Sequence, residues 1–240
     1  MSAPMVVAAE GIPVGEHVTY EAFGMTFNLD TIWATVIAGI VVIALGFWFR
    51  AKVTSGVPSK IQLVWETLVD WVNGQVREQL GRLNPFAVPL AVSLFIFILV
   101  CNWMELIPSG EHPKLLPAPT ADVNLVYALA LVSLIGAHVY GIKSNGLHYF
   151  AHYKNPMEII TELSKFLSLP LRLFGNIFAG GLMIAIIGLL PLWLLWLPNI
   201  LWKLFDMFIG GLQAFIFALL TIVYWGQLGG HSEEAGGKGH

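Results

Sequence analysis

Leu173 to Trp202, LFGNIFAGGLMIAIIGLLPLWLLWLPNILW, is thirty residues without a single charge. Lys203 and Asp206 interrupt it, and Met207 to Ser232 then adds twenty-six more uncharged residues. A hydrocarbon core of roughly 30 Å is crossed by about 20 apolar residues in a helix. These two stretches are too apolar for water and too long for perpendicular spans. They predict two long, strongly tilted membrane helices, over 156–190 and 192–228. The two form a hairpin whose turn is expected between Pro191 and Pro198, near residue 195.

The rest of the chain has the same character. Hydrophobic residues make up 57% of the 240 positions and charged residues 11%, less than half the charge of an average soluble domain. Too little polar surface remains to cover a globule, so lipid is the main solvent. A net charge of −3 leaves no basic footprint for nucleic acid. Cys101 is the one cysteine, which excludes a disulfide framework and a cysteine metal cluster. The nine tryptophans crowd around the apolar segments, as interfacial anchors do.

Three further spans are expected, at 31–49, 85–107 and 122–142. Between the first two, Ser59 to Arg82 reads differently. Ile61, Val64, Trp65, Leu68, Val72, Val76 and Leu80 recur at steps of three and four on one helical face. Lys60, Glu66, Asp70, Arg77, Glu78 and Arg82 mark the other face. Ser59, following Pro58, suits an N-cap. An amphipathic helix over 59–82, lying on the membrane surface or holding a partner, fits this pattern. The fold class expected is an all-α polytopic membrane protein, one membrane domain over 1–240. It has five spans, this interfacial helix, an external segment 1–30 and an unstructured tail 229–240.

Lysine and arginine placement sets the orientation. None occurs in the first forty-nine residues, whereas Arg50, Lys52, Lys60, Arg77 and Arg82 follow the first span. Lys143, Lys154 and Lys165 follow the third. The N-terminus is therefore expected outside and the C-terminus in the cytoplasm. The N-terminus has no cationic start of a signal or transit peptide. No internal repeat is visible, which weighs against an inverted-repeat transporter.

Arg172 is the residue that stands out. It sits two positions after Pro170 in an apolar helix and keeps its charge at any working pH. Insertion scales put such a residue at roughly 2.5–3.5 kcal/mol near mid-bilayer. One reading is a snorkelling side chain or an internal ion pair with Asp206. The other is a fixed charge facing a carboxylate or an aqueous path. The surrounding face favours the second reading. Glu158, Thr161 or Glu162, Lys165, Ser168, Arg172 and Asn176 form a polar stripe, with Ala179, Gly180 and Met183 beyond. The last helix carries its own stripe of Asp206, Gly210, Gln213, Phe217, Thr221 and Tyr224. The hairpin would bring Arg172 and Asn176 within a turn of Gln213 and Phe217. Gly180, Gly181, Gly210 and Gly211 permit close packing. At the outer ends, Asn102, Trp103, Glu105, Asp122 and Asn124 are either solvated helix ends or, with Asp206, the lining of a wet cavity. His148 and His152 are four apart but lack an acid to complete a metal site, and His138 has no second ligand within a span. No H-E-x-x-H, phosphate loop or Ser/His/Asp set is present. No metal site, cofactor or active site of ordinary enzymology is expected.

The run Leu169-Pro-Leu-Arg172-Leu-Phe-Gly-Asn176-Ile-Phe-Ala-Gly180, with Leu212-Gln213-Ala-Phe-Ile-Phe217, resembles subunit a of the F-type ATP synthases. Asn102-Trp-Met-Glu105-Leu-Ile-Pro108 and Pro119-Thr-Ala-Asp122-Val-Asn124 support it. The resemblance implies a stator in the cell (inner) membrane beside a ring of c subunits, each bearing a lipid-exposed carboxylate. A b-type peripheral stalk and the remainder of the ATP synthase are further partners. Two offset aqueous half-channels carry protons to and from the ring, and Arg172 separates them. Asn176 and Gln213 flank Arg172, Glu158 belongs to the cytoplasmic path, and Asn102, Glu105 and Asp122 belong to the outer one. A ring carboxylate facing lipid is neutral because desolvation disfavours its charge, and opposite Arg172 it can ionise. In much of the family an acid stands at the position of Gly181 and a histidine at that of Asp206. The acid is here expected to have moved across the hairpin, putting Asp206 beside Ala179 to Met183 in the outer path. A secondary transporter using Arg172 to bind an anionic substrate is the alternative.

Overall fold

The computed structural model describes residues 19–22, 25–54, 56, 58–81, 84–106, 118–146, 149 and 156–229. The expected tail, most of the external segment and the His148/His152 pair lie outside the described residues. Six helices are described, and five of them are long and apolar enough to cross a membrane. They are α1 (Leu29–Lys52), α3 (Ala87–Met104), α4 (Val123–Asn145), α5 (Pro156–Ile187) and α6 (Leu192–Gly229). The sixth, α2 (Lys60–Leu80), is the amphipathic one. Its Ser59 hydroxyl accepts from the Gln62 backbone N–H at 3.3 Å, and Gly81 ends it in the left-handed region at φ 69°.

Two features differ from expectation. Thr19–Ala22 (β1) and Met25–Asn28 (β2) pair antiparallel, Thr19 opposite Asn28 and Ala22 opposite Met25. The segment read as merely external therefore holds a hairpin that leads directly into α1. The turn between the long helices also lies earlier than residue 195, at Gly188 to Pro191. Gly188, Leu189 and Leu190 donate back to Ile184, Ile186 and Ile187 and close α5. The Pro191 carbonyl then accepts from both Leu194 and Leu195, at 2.9 and 3.0 Å, and starts α6. Pro198 lies inside α6. It removes one backbone donor there without ending the helix.

Loop residues fix the helix ends. Asn84 Oδ1 accepts from the backbone of Phe86 and Ala87 and caps α3. A 3-10 turn, Pro119–Ala121, leads to Asp122, which caps α4 by accepting from Asn124 N–H at 2.8 Å. The Gln62 amide donates to the Thr54 carbonyl and accepts from its N–H, and Phe49 stacks on Trp65 at 4.6 Å. These contacts set the elbow between α1 and α2.

Helix α6 is the hub and packs on α2, α3, α4 and α5. At one end Val72 and Val76 of α2 join Ala87 and Ala91 of α3, Ala137 of α4, and Ile222, Trp225 and Leu228 of α6. The C-terminal half of the apolar face of α2 is thus covered by this chain's own helices, while Ile61 and Val64 in its N-terminal half are exposed. Gly226 lets α2 touch α6 backbone to backbone, because a Cβ there would stand 2.7 Å from the Gln79 carbonyl oxygen. The middle layer joins Leu94 and Ile98, Val126 and Ala130, Leu169 and Leu173, and Ala214 and Phe217. Buried hydroxyls cross it, Ser133 donating to Thr221 at 2.8 Å. Helix α1 is peripheral, with Ala34 and Ala38 against Cys101 and Met104. Its Ile32, Val36, Ile40, Ile43 and Phe47 are exposed, as suits a helix facing lipid.

Candidate functional site

Helix α5 divides cleanly into two faces. Leu169, Leu173 and Ile177 are buried against the bundle, at the three- and four-residue spacing of one helical side. Ser168, Arg172, Gly175 and Ala179 repeat the same spacing on another side, and all four are exposed. Arg172 therefore points away from its own chain. Among the described residues it forms no ion pair and no hydrogen bond, and Tyr224 is its electrostatic neighbour. The internal Arg172–Asp206 pair weighed from the sequence is not formed. Asn176, one turn on, is half-buried, and its Nδ2 is buried with no hydrogen-bond partner among the described residues. Gln213 is buried on α6, and among the described residues it is not hydrogen-bonded to Arg172.

Polar groups continue along α5 toward its N-terminus. Ser168 lies beside the Tyr224 hydroxyl of α6. The Lys165 ammonium lies 5.1 Å above the Tyr224 ring and donates to Glu162 at 2.6 Å. A ring face and a carboxylate thus both meet the ammonium of this buried lysine. Glu158 sits half-buried in the first turn of α5. The sequence contained Ser168 and Tyr224 in separate stripes, but their pairing depends on how α5 and α6 cross.

Toward its C-terminus α5 meets two acids. Asp206 is buried, and its Oδ1 lies 2.6 Å from where a Cβ on Gly180 would stand. Glu105 Oε1 lies 3.5 Å from the corresponding point on Gly181. The two acids thus approach adjacent glycines from α6 and from the end of α3. Trp202, one turn before Asp206, donates its indole N–H to the Gly180 carbonyl at 3.2 Å. Asn102 donates to the Gly210 carbonyl at 2.9 Å and accepts from the Thr120 hydroxyl at 2.8 Å. Trp103 donates to the Met207 carbonyl at 3.2 Å. The end of α3 is thereby bolted to α6 in the turn that follows Asp206.

Asp122 has a different place. One carboxylate oxygen accepts from Asn124 N–H, and the other accepts from the Asn28 amide at 2.6 Å. It is buried and caps α4 while tying β2 to it. Of the residues expected along the outer path, Asn102, Glu105 and Asp206 converge on α5 and α6, and Asp122 stands apart from them at the start of α4, bonded to Asn28 and Asn124. Thr120 and Trp202 were not singled out from the sequence. A usable signal for Trp202 was its position four residues before a buried acid, on the same helical face.

A protein family described as ATP synthase A chain matches residues 32–226. The chain is 50% identical over 239 residues to ATP synthase subunit a of Acidothermus cellulolyticus, covering 95% of this chain and 88% of that one. It is 46% identical over 237 residues to ATP synthase subunit a of Mycobacterium bovis, covering 92% and 95% of the two chains. A more distant relative is ATP synthase subunit a 1 of Photobacterium profundum, 35% identical with 95% and 98% covered.

Proposed function

Because this chain belongs to the ATP synthase A chain family, we propose that it is the proton-conducting stator of the synthase membrane sector. It is a multi-pass membrane subunit of that complex, without nucleotide chemistry of its own. In the proposed mechanism a ring of small c subunits, each with a carboxylate at mid-membrane, turns against the exposed face of α5. A b-type peripheral stalk holds this chain still. The N-terminus lies outside and the C-terminus in the cytoplasm, so α5 runs outward from Glu158 to Gly180.

The observation that carries this reading is Arg172, exposed on a membrane helix and without an ion pair among the described residues. A permanent charge in that position requires an anion from another chain. A ring carboxylate is neutral while it faces lipid and ionises on arriving opposite Arg172. It releases its proton to one side and takes the next from the other. The fixed positive charge prevents a direct hop between the two paths. Asn102, Glu105 and Asp206 serve the outer path, Glu158 the cytoplasmic one, and Asn176 and Gln213 flank the exchange point. Each proton crossing is worth roughly 2.3 kcal/mol per 100 mV, so several must accumulate through rotation before one ATP is made. The transporter alternative has no support from this family.

The test is Arg172→Ala and Arg172→Lys in the whole complex, measured by ATP-driven proton pumping in inverted membrane vesicles. Both should assemble and neither should pump. Lysine fails because its compact, strongly hydrated ammonium lacks the planar fork and can deprotonate when buried. Normal pumping by the lysine variant refutes the central role of Arg172. Copurification with a ring of small carboxylate-bearing subunits and a peripheral stalk tests the partners.

A further inference from the structure

Two contacts meet at Gly180. Its missing side chain leaves the space that the Asp206 carboxylate occupies, and its carbonyl accepts the Trp202 indole N–H at 3.2 Å. Trp202 and Asp206 are four residues apart on α6 and so share a face. The indole is half-buried, tilted against Phe205 at 5.3 Å between ring centroids. A single residue of α5 is therefore held at two points by consecutive turns of α6. Slippage of α6 by one residue along α5 would turn Asp206 about 100° around its axis and lift it out of the notch.

We infer that Trp202 is a positioning residue, whose hydrogen bond to Gly180 holds α6 in the register that seats Asp206 against α5. The inference rests on the proposed role of Asp206 in the outer path. The indole touches no proton carrier directly and acts through Asp206. An apolar ring at this position would supply packing, but it would not select one register. The N–H does, because in lipid it must find an acceptor and the Gly180 carbonyl is the one it meets. The charged groups on the elements around the notch are Lys203 on α6, Glu105 at the end of α3, Arg172 two turns away on α5, and Asp122 before α4. Asp122 is engaged by Asn28 and Asn124. Variation in the response to outside pH is therefore read against Asp206 by substitution.

The experiment uses the whole complex in its membrane, with the catalytic sector stripped to measure passive proton flux. Trp202→Phe keeps an aromatic ring and removes the donor. Replacement of the Trp202 side chain by its benzothiophene analogue keeps the shape and removes only the N–H. Flux per assembled complex should fall about two- to ten-fold in both, the range one net hydrogen bond supports. The profile of flux against outside pH should shift. In an Asp206→Asn background the same replacements should have no further effect. Trp225→Phe removes a comparable indole bond, to the Ser133 carbonyl at 3.2 Å far from Gly180. It should lower thermal stability and leave the pH profile in place. If Phe at 202 prevents assembly, the benzothiophene variant decides. Unchanged flux and profile in that variant, or an equal deficit with and without Asp206, overturns the inference. Normal flux in Asp206→Asn alone instead overturns the role of Asp206 on which it rests.

Discussion

Gly180→Ala adds one methyl group at the point where α5 and α6 come closest to the buried acid. The new Cβ would stand 2.6 Å from Asp206 Oδ1, 3.2 Å from Cγ and 3.4 Å from Oδ2. Rotating the carboxylate about its last bond does not relieve this, because the carbon itself is too close. The whole group must retreat until Oδ1 reaches at least 3.4 Å, the near edge of ordinary contact. That requires an off-rotamer side chain or a small parting of the helices, each worth about 1–3 kcal/mol. Against this, alanine in a helix interior gains about 1 kcal/mol over glycine. The two effects cancel in part in stability, leaving a net cost of about 0–2 kcal/mol, so the complex should still assemble. They do not cancel at the carboxylate, since helix propensity does nothing to restore its seat. Passive proton flux through stripped membranes, normalised to assembled subunit, should fall roughly 5- to 150-fold, the equivalent of 1–3 kcal/mol. Gly39→Ala in α1 is the control: a Cβ there meets nothing within 4 Å, and flux should be unaffected. Undiminished flux in Gly180→Ala would refute the claim that this notch lies on the conducting path.

Asn102→Ala removes two buried hydrogen bonds and leaves the Thr120 hydroxyl, fully buried, without its acceptor. The melting temperature of the solubilised complex should drop, the local loss being about 1–3 kcal/mol; an unchanged melting curve counts against the bolt between α3 and α6. Glu158→Gln should slow proton exchange on the cytoplasmic side several-fold with assembly unaltered, and unchanged flux through the stripped membrane sector would make Glu158 a surface acid only. Asp206→Asn should cut conduction markedly, and adding Gly181→Glu should restore part of it. No recovery in that double variant, measured by flux, rejects the idea that the acid has changed helices.

Long uncharged stretches decided the helices because lipid offers no partner to a backbone N–H or carbonyl, so an apolar run of sufficient length has to become a helix. Other features depended on competition between equals. Pro191 and Pro198 are both plausible turn residues in the sequence. The helix begins where the Pro191 carbonyl captures two amides, and that outcome is set by the packing of α6. The period of α2 identified an apolar face, but a face reads alike whether lipid or another helix covers it; here Val72 and Val76 lie against α3 and α6. The hairpin of β1 and β2 is four residues on each side, too short to stand out from an external loop.

The site divides along the same line. Arg172 announced itself because a charge in an apolar helix has a cost that its own residue type cannot remove. The acids did not sort themselves, since a carboxylate's work depends on its neighbours. Asp122 meets an amide and a backbone N–H and becomes a cap; Asp206 meets the notch at Gly180. Across the hairpin, Asp206 was expected beside Ala179 to Met183 and lies at Gly180. Trp202 at Gly180 and Tyr224 beside Ser168 escaped the sequence, because those pairings depend on how two tilted helices cross rather than on counting from their turn.

The two adjacent glycines of α5 are not equivalent, and the difference bears on how an acid could change helices. A Cβ at Gly181 would meet Glu105 at 3.5 Å, ordinary contact, whereas at Gly180 it would collide with Asp206. Position 181 thus still has room for a side chain, as the resemblance to relatives with an acid there would require. Position 180 does not while Asp206 is present. An acid carried by α6 needs an opening in α5, and Gly180 supplies it. Trp202 then has a reason to donate to that glycine's carbonyl in particular: it is the residue against which a short aspartate, reaching across from the opposite helix, has to be aligned.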